Sequence, residues 1–186
     1  ARSIAFVEFY RQWPVLMPDA QHAALAGHLR RHGHRVALFK AYLHDDGHET
    51  KVAFLDALRD QGPWDLVVCG RAWGRALIRE VHAATGNAPI VIDEWPTMRD
   101  WPEVTYRLEP MTRDNLLALV ESGADGDGIP SLSQRTSDST WREPQVKSSF
   151  RSTVEYGGPL DLAYDTGQVF GVEAHEQANL RFLMLN

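Results

Sequence analysis

Short apolar runs alternate with segments of helical periodicity along the first two thirds of this chain. The apolar runs predict five strands, at residues 3–9, 35–40, 65–69, 89–92 and 103–108. The segments between and after them predict four helices, at residues 19–33, around 52–58, at 75–85 and at 113–122. Strands joined by helical crossovers form a largely parallel sheet with helices on both faces. The sequence therefore predicts an open, doubly wound α/β fold.

The pattern changes after about residue 125. Glycine and aspartate dominate residues 123–128, and residues 131–140 are polar, so both read as linker. Residues 168–173 and 180–185 are apolar again and predict extended pieces, the second pairing either with the sheet of this domain or with another protein. We therefore expect an α/β domain over 1–125, followed by a linker and an extended C-terminal tail over 126–186. The tail residues expected to bind a partner are Phe170, Leu180, Phe182, Leu183, Met184 and Leu185.

The composition excludes several classes of function. A formal net charge of -6 argues against binding nucleic acid, because such affinity comes mostly from clustered Lys and Arg. No apolar run approaches the roughly 18 residues that span a bilayer, and the first residues lack the apolar core of a signal peptide. We therefore expect a protein of the cytoplasm, or of the cytoplasmic face of a membrane complex. The single cysteine, Cys69, excludes an internal disulfide and a metal site built from several thiolates of this chain.

Three tryptophans follow predicted strands. Trp13, Trp73 and Trp95 come after the first, third and fourth strands, so they are expected at the carboxyl ends of the sheet, where open α/β folds bind ligands. Three interpretations stay open: the indoles stack on a flat cofactor, fill the crevice, or anchor a partner protein.

Charged residues accompany these tryptophans. Arg71 and Arg75 flank Trp73 and either hold an anionic group or form ion pairs with Asp93 and Glu94. Adjacent carboxylates in extended chain point to opposite faces, which makes Asp93 and Glu94 a poor acid/base pair. With no phosphate-cradling loop or nucleophile elbow in the sequence, we expect a protein that is not an enzyme. The candidate crevice residues are Trp13, Arg71, Trp73, Asp93, Glu94, Trp95 and Thr97.

Four histidines accompany the first predicted helix. His28 and His32 have the i,i+4 spacing of a metal-binding pair, but a third ligand is not evident. We therefore interpret His22, His28, His32 and His34 as parts of a solvated helix face, and we expect no metal.

Several segments follow one another in a fixed order: residues 23–36, which run from the first predicted helix into the second strand, then Asp65-Leu-Val-Val, Pro89-Ile-Val-Ile followed by Pro96-Thr97, and residues 104–109, 116–117 and 128–130. This order resembles the Rossmann-like cobalamin-binding domain at the front of cobalamin-dependent radical SAM enzymes. The resemblance covers roughly residues 3–132 and implies cobalamin as a ligand.

The sequence departs from that family in three places. The loop after the first strand reads Tyr10-Arg-Gln-Trp-Pro and lacks the axial histidine motif of the methyl-transfer branch. Asp93-Glu94-Trp95 stands where the family has a Gly-Gly pair that lets the nucleotide tail approach. The three-cysteine cluster is absent, so this chain cannot run radical SAM chemistry by itself. We therefore expect a degenerate site without a bound cofactor, and keep cobalamin as the alternative.

Three functions stay open. The favoured one is a non-catalytic accessory or binding subunit that docks on a larger assembly through its tail and its Trp-rich loops; by analogy alone, a photosynthetic complex is one such assembly. The second is a corrinoid-binding sensor or carrier, or the N-terminal part of a cobalamin-dependent radical SAM enzyme. The third is a flavodoxin-like small-molecule enzyme.

Overall fold

The computed structural model describes residues 1–10, 20–42, 48–70, 75–93, 101–123, 126, 128–144 and 167–170. The elements within them are β1 (Ser3–Tyr10), α1 (Ala20–Arg31), β2 (Arg35–Tyr42), α2 (His48–Asp60), β3 (Leu66–Cys69), α3 (Arg75–Ala84), β4 (Ile90–Ile92), β5 (Val104–Leu108), α4 (Arg113–Ser122), β6 (Leu132–Arg135), β7 (Trp141–Arg142) and β8 (Gly167–Phe170). Each strand and helix predicted between residues 3 and 122 is present, with ends that differ by a few residues.

The strands form one sheet in the order β7-β6-β5-β4-β3-β1-β2-β8. Strands β1 to β5 and β8 run parallel, whereas β6 and β7 join antiparallel at one edge. The chain passes from β1 to β2 on one side and then returns to β3 on the other side of β1. This reversal between β1 and β3 is the topological switch point, where the carboxyl ends of the strands open a crevice in folds of this kind. The doubly wound, mainly parallel fold is confirmed.

Helices cover both faces of the sheet. Ile4 and Phe6 of β1 pack into an apolar cluster with α1 and α4, whereas Val7 and Phe9 pack into a second cluster with α2 and α3. These four side chains are at most 1% exposed, and burying each contributes about 1.5–3 kcal/mol. The apolar run of β1, which only Glu8 interrupts between Ile4 and Phe9, follows from this burial on both faces, because neither side of the strand meets solvent.

Local signals set the ends of two helices. Gly33, at a φ of 82°, follows α1, and its N–H donates to the carbonyl of Arg30 over 2.9 Å. The hydroxyl of Thr112 accepts a hydrogen bond from the N–H of Asn115 over 3.2 Å and caps α4.

The strand β6 lies in a segment that the sequence predicted as linker. Arg135 donates to the carbonyls of Val104, over 3.0 Å, and Trp101, over 2.9 Å, while Arg107 donates to the hydroxyl of Ser133 over 3.1 Å. Charge-assisted hydrogen bonds therefore hold a polar strand against β5. An apolar pattern is not needed for this pairing, which is why the loop predicted over 132–135 is replaced by a strand.

A piece of the predicted tail also joins the sheet. The extended piece predicted over 168–173 appears as β8, parallel to β2, with Gln168 opposite Phe39 and Phe170 opposite Ala41. The ring of Phe170 packs edge to face on Phe54 of α2, with centroids 5.7 Å apart. This part of the tail thus covers the edge of β2 that would otherwise present unpaired backbone groups.

Candidate functional site at the carboxyl ends of the strands

The crevice residues named from the sequence fall mostly outside the described residues. This holds for Trp13, Arg71, Trp73, Glu94, Trp95 and Thr97. Asp93 directly follows β4 and is half-buried. Arg75, at the start of α3, lies with its Nε 3.7 Å from Oε2 of Glu103, and Arg79 lies 3.3 Å from the other oxygen of that carboxylate.

The predicted partner-binding residues divide in the same way. Phe170 lies on β8, half-buried against the domain's own core. Leu180, Phe182, Leu183, Met184 and Leu185 lie outside the described residues.

A cluster of ionisable side chains is buried near the switch point. Glu8 of β1 and Lys40 of β2 are opposite one another in the parallel register, and His22 reaches them from the first turns of α1. They are 4%, 2% and 7% exposed, respectively. Because side chains alternate along a strand, Glu8 shares with Ile4 and Phe6 the face that α1 covers. The cluster therefore lies between α1 and the sheet, toward the carboxyl ends of the strands.

Glu8 is the centre of this cluster. One carboxylate oxygen, Oε1, lies 2.9 Å from Nδ1 of His22, and the other, Oε2, lies 3.9 Å from Nζ of Lys40. The imidazole contact has the distance of a hydrogen bond but not its alignment, so Nδ1 is buried without a hydrogen-bond partner among the described residues. The Glu8 carboxylate thus faces two basic groups in a region closed to solvent.

Tyr42 extends the cluster along β2. Burial first, and then the charge of Glu8, raises the pKa of the Tyr42 phenol to about 12. The Lys40 ammonium lies 5.5 Å from the centroid of the Tyr42 ring, which is a cation-π distance. Tyr42 is therefore a neutral phenol at physiological pH.

The ring of His22 packs directly on the backbone of Gly70, the residue that follows β3. A Cβ at position 70 would lie closer than 3.0 Å to Cε1 of His22 and 3.3 Å from each ring nitrogen. Phe6 contacts the same ring edge to face, with centroids 5.5 Å apart. Only glycine leaves room for the imidazole here, so β3 and α1 meet through this pair at the switch point.

Burying an ion pair in this way needs an explanation other than stability. The cost of removing two charges from water often cancels their attraction, and buried ionisable clusters concentrate at functional sites. The position at the switch point, where ligands of open α/β sheets bind, agrees with a functional role. We therefore take Glu8, His22 and Lys40, with Gly70, as the candidate site.

Sequence reasoning missed this site. It placed His22 on a solvated helix face, which is wrong because the side chain is buried between α1 and the sheet. For His32, which is exposed, the solvated face is confirmed. The signal that could have found the site was a charged residue within each of two apolar strands, Glu8 in the first and Lys40 in the second.

Other features of the described residues offer less chemistry. Burial raises the pKa of the Cys69 thiol to about 12, which excludes a reactive thiolate. Within the described ranges, no group of three or more His, Cys, Asp or Glu side chains can hold a metal ion. A groove of about 310 Å³ lies at the opposite, amino ends of the strands, between Tyr106, Leu119 and Val120. The groove therefore lies at the edge of the sheet opposite the ionisable cluster, and its walls are mainly apolar.

Comparison with known proteins finds matches among solved structures. No family model matches the chain, and no curated protein sequence does. The radical S-adenosylmethionine methyltransferase TsrM from Kitasatospora setae, with tryptophan and a SAM analogue bound, matches with a TM-score of 0.60 and 20% identity, over 77% of this chain and 30% of that chain. The chain shares the fold of the matched part of that enzyme.

Two further structures agree. TsrM with cobalamin and its 4Fe-4S cluster matches with a TM-score of 0.57 and 18% identity, over 87% of this chain and 32% of that chain. The cobalamin-dependent radical enzyme OxsB, with aqua-cobalamin and S-adenosylmethionine bound, matches with a TM-score of 0.53 and 14% identity, over 90% of this chain and 26% of that chain. The chain thus spans a third or less of the length of these enzymes. None of the helices in the described ranges is both long and apolar enough to cross a bilayer.

Proposed function

We propose that the chain is a corrinoid-binding domain that holds cobalamin at the carboxyl ends of its strands and presents it to catalytic groups supplied by other residues. The observation that carries the proposal is the buried cluster of Glu8, His22 and Lys40 near the switch point. The sheet around it has the fold of structures solved with cobalamin bound.

The described part of the crevice fits such a ligand. The ring of His22, packed on Gly70, supplies a nitrogen suited to the amide groups of a corrinoid. When bound, a corrinoid supplies a cobalt centre that carries a methyl group. The chain's own part is to bind the cofactor, exclude water from one side of it and hold its polar groups.

The remaining chemistry must come from outside this sequence. Radical SAM catalysis needs a thiolate-bound iron-sulfur cluster, whereas the only cysteine here is buried and resists ionisation. The domain is therefore a binding unit for a catalytic unit elsewhere in a polypeptide or in a complex.

Titration with hydroxocobalamin tests this proposal. We expect a saturable change in the cobalamin absorbance spectrum with one cofactor per chain. We also expect a rise in unfolding free energy of about 2.7 kcal/mol when free cofactor exceeds the Kd a hundredfold. The absence of both a spectral change and thermal stabilisation at millimolar cofactor would refute corrinoid binding.

A chain whose only cysteine is buried supplies no thiolate-bound cluster, which agrees equally with a second candidate, a non-catalytic accessory subunit that docks on an assembly through its C-terminal tail and its Trp-rich loops. Native purification followed by mass spectrometry distinguishes the two. The accessory role requires a stoichiometric partner that is lost when residues 171–186 are removed, together with no bound corrinoid.

A further inference from the structure

His22 is held so that its two ring nitrogens differ. Nδ1 faces the carboxylate of Glu8 at 2.9 Å in a buried position. The negative charge of the carboxylate beside Nδ1 favours the tautomer with the proton on Nδ1, which leaves a lone pair on Nε2. Nε2 has no hydrogen-bond partner within the described ranges, and it is not sealed from solvent as Nδ1 is.

The ring is also fixed in place. Gly70 lies against Cε1, between the two nitrogens, and Phe6 packs on the ring edge to face. The side chain is therefore oriented before any ligand arrives, and its Nε2 is an acceptor positioned beside the end of β3.

The charges around the ring indicate which ligand group suits this acceptor. The Lys40 ammonium lies 3.9 Å from Glu8, so the positive charge beside His22 is already compensated. An anion would meet no uncompensated positive charge here, whereas a neutral N–H or O–H group would find an acceptor. The primary amides that surround a corrin ring are donors of this kind.

We propose that Nε2 of His22 accepts a hydrogen bond from a neutral amide or hydroxyl group of the bound ligand, with Glu8 and Lys40 as positioning residues. This inference rests on the proposed function only in its choice of ligand, an amide-bearing corrinoid. His22 is then a specificity-determining residue that favours amide-bearing corrinoids over their esters.

Two ligands and five proteins test it. Hydroxocobalamin carries the ring amides, whereas the heptamethyl ester of cobyrinic acid has no N–H donors on its ring side chains. The Kd of each is measured by absorbance titration for the native protein, H22L, H22Q and E8Q, with H32L as a matched control at the exposed position that directly follows α1.

We expect H22L to weaken hydroxocobalamin binding about 3- to 10-fold, the value of one net hydrogen bond, and to leave the Kd of the ester unchanged. H22Q keeps an oxygen acceptor and recovers most of the affinity. E8Q offers an N–H toward Nδ1, moves the imidazole proton to Nε2 and loses the preference for the amide-bearing ligand. H32L behaves as the native protein.

The outcomes separate the two proposals. If the native protein binds hydroxocobalamin and H22L binds it equally well, the role of His22 is overturned while the corrinoid domain stands. An equal loss for both ligands in H22L also overturns it, because that result reports structural damage. If the native protein binds neither ligand, both proposals fail together.

Discussion

The contact between His22 and Gly70 predicts that Gly70→Ala destabilises the protein through a single side chain. The φ of Gly70 lies outside the left-handed region, so alanine meets no backbone strain. Its Cβ would nevertheless lie closer than 3.0 Å to Cε1 of His22, against an ordinary carbon contact of about 3.5–4.0 Å. The ring must therefore move by about 1 Å or more, within a cluster closed by Phe6 and Glu8, to restore an ordinary contact.

Overpacking of this kind costs about 1–3 kcal/mol, and the lower chain entropy of unfolded alanine offsets about 0.4–1 kcal/mol of it. We expect a net loss of about 1–2 kcal/mol of unfolding free energy, or a fall in Tm of roughly 2–8 °C. Urea denaturation followed by circular dichroism measures it.

A double-mutant cycle with His22→Ala identifies the cause. Without the ring, the alanine at position 70 has room, so G70A in the H22A background should be neutral or slightly stabilising, with a coupling energy of at least 1 kcal/mol. Equal costs of G70A in both backgrounds would show that the ring does not occupy this space, and the geometry of the site would be wrong.

Three further predictions concern buried ionisable groups. Lys40→Met should lower the free energy of unfolding by about 3–5 kcal/mol in urea denaturation, because it removes the ammonium that faces Glu8. The E8Q/K40M double variant should recover much of that loss. A K40M protein as stable as the native one would contradict the buried pair. Cys69, with its pKa raised to about 12 by burial, should resist iodoacetamide at pH 8 and react fully in urea, whereas rapid labelling of the folded protein would contradict its burial. Burial lowers the pKa of His34 from 6.5, so the unfolded chain binds the proton more readily than the folded protein does. The stability that depends on His34 is therefore full above about pH 6.5 and falls as the pH drops below it. H34Q should flatten this profile of unfolding free energy against pH, and an unchanged profile in H34Q would assign the acid sensitivity to another group.

The doubly wound domain was predictable because its signals are local. Strand β1 is buried on both faces and therefore reads as an apolar run that only Glu8 interrupts, and α4 follows a capping threonine, Thr112, a residue type that favours helix starts. Gly33 ends α1 for a reason visible in the sequence, since glycine adopts the positive φ found there.

The strands beyond residue 125 were less predictable. Strand β6 is held by the side chains of Arg107 and Arg135, which bond to atoms far away in sequence and leave no apolar period behind. Strand β8 was predicted as an extended piece, but its partner β2 was not, because many edges can accept a short parallel strand.

For the candidate site, what the sequence determined and what the tertiary structure decided are more clearly separated. The sequence by itself determined the alternating strands and helices, and so predicted a switch point at the carboxyl ends of the strands, where open α/β folds bind ligands. It also placed Glu8 and Lys40 within apolar strands. Only the tertiary structure decided that β1 and β2 pair in the register that sets Glu8 opposite Lys40, and that α1 lays His22 on Gly70. Burial and charge pairing depend on atoms brought together across the sheet, and no local pattern records them.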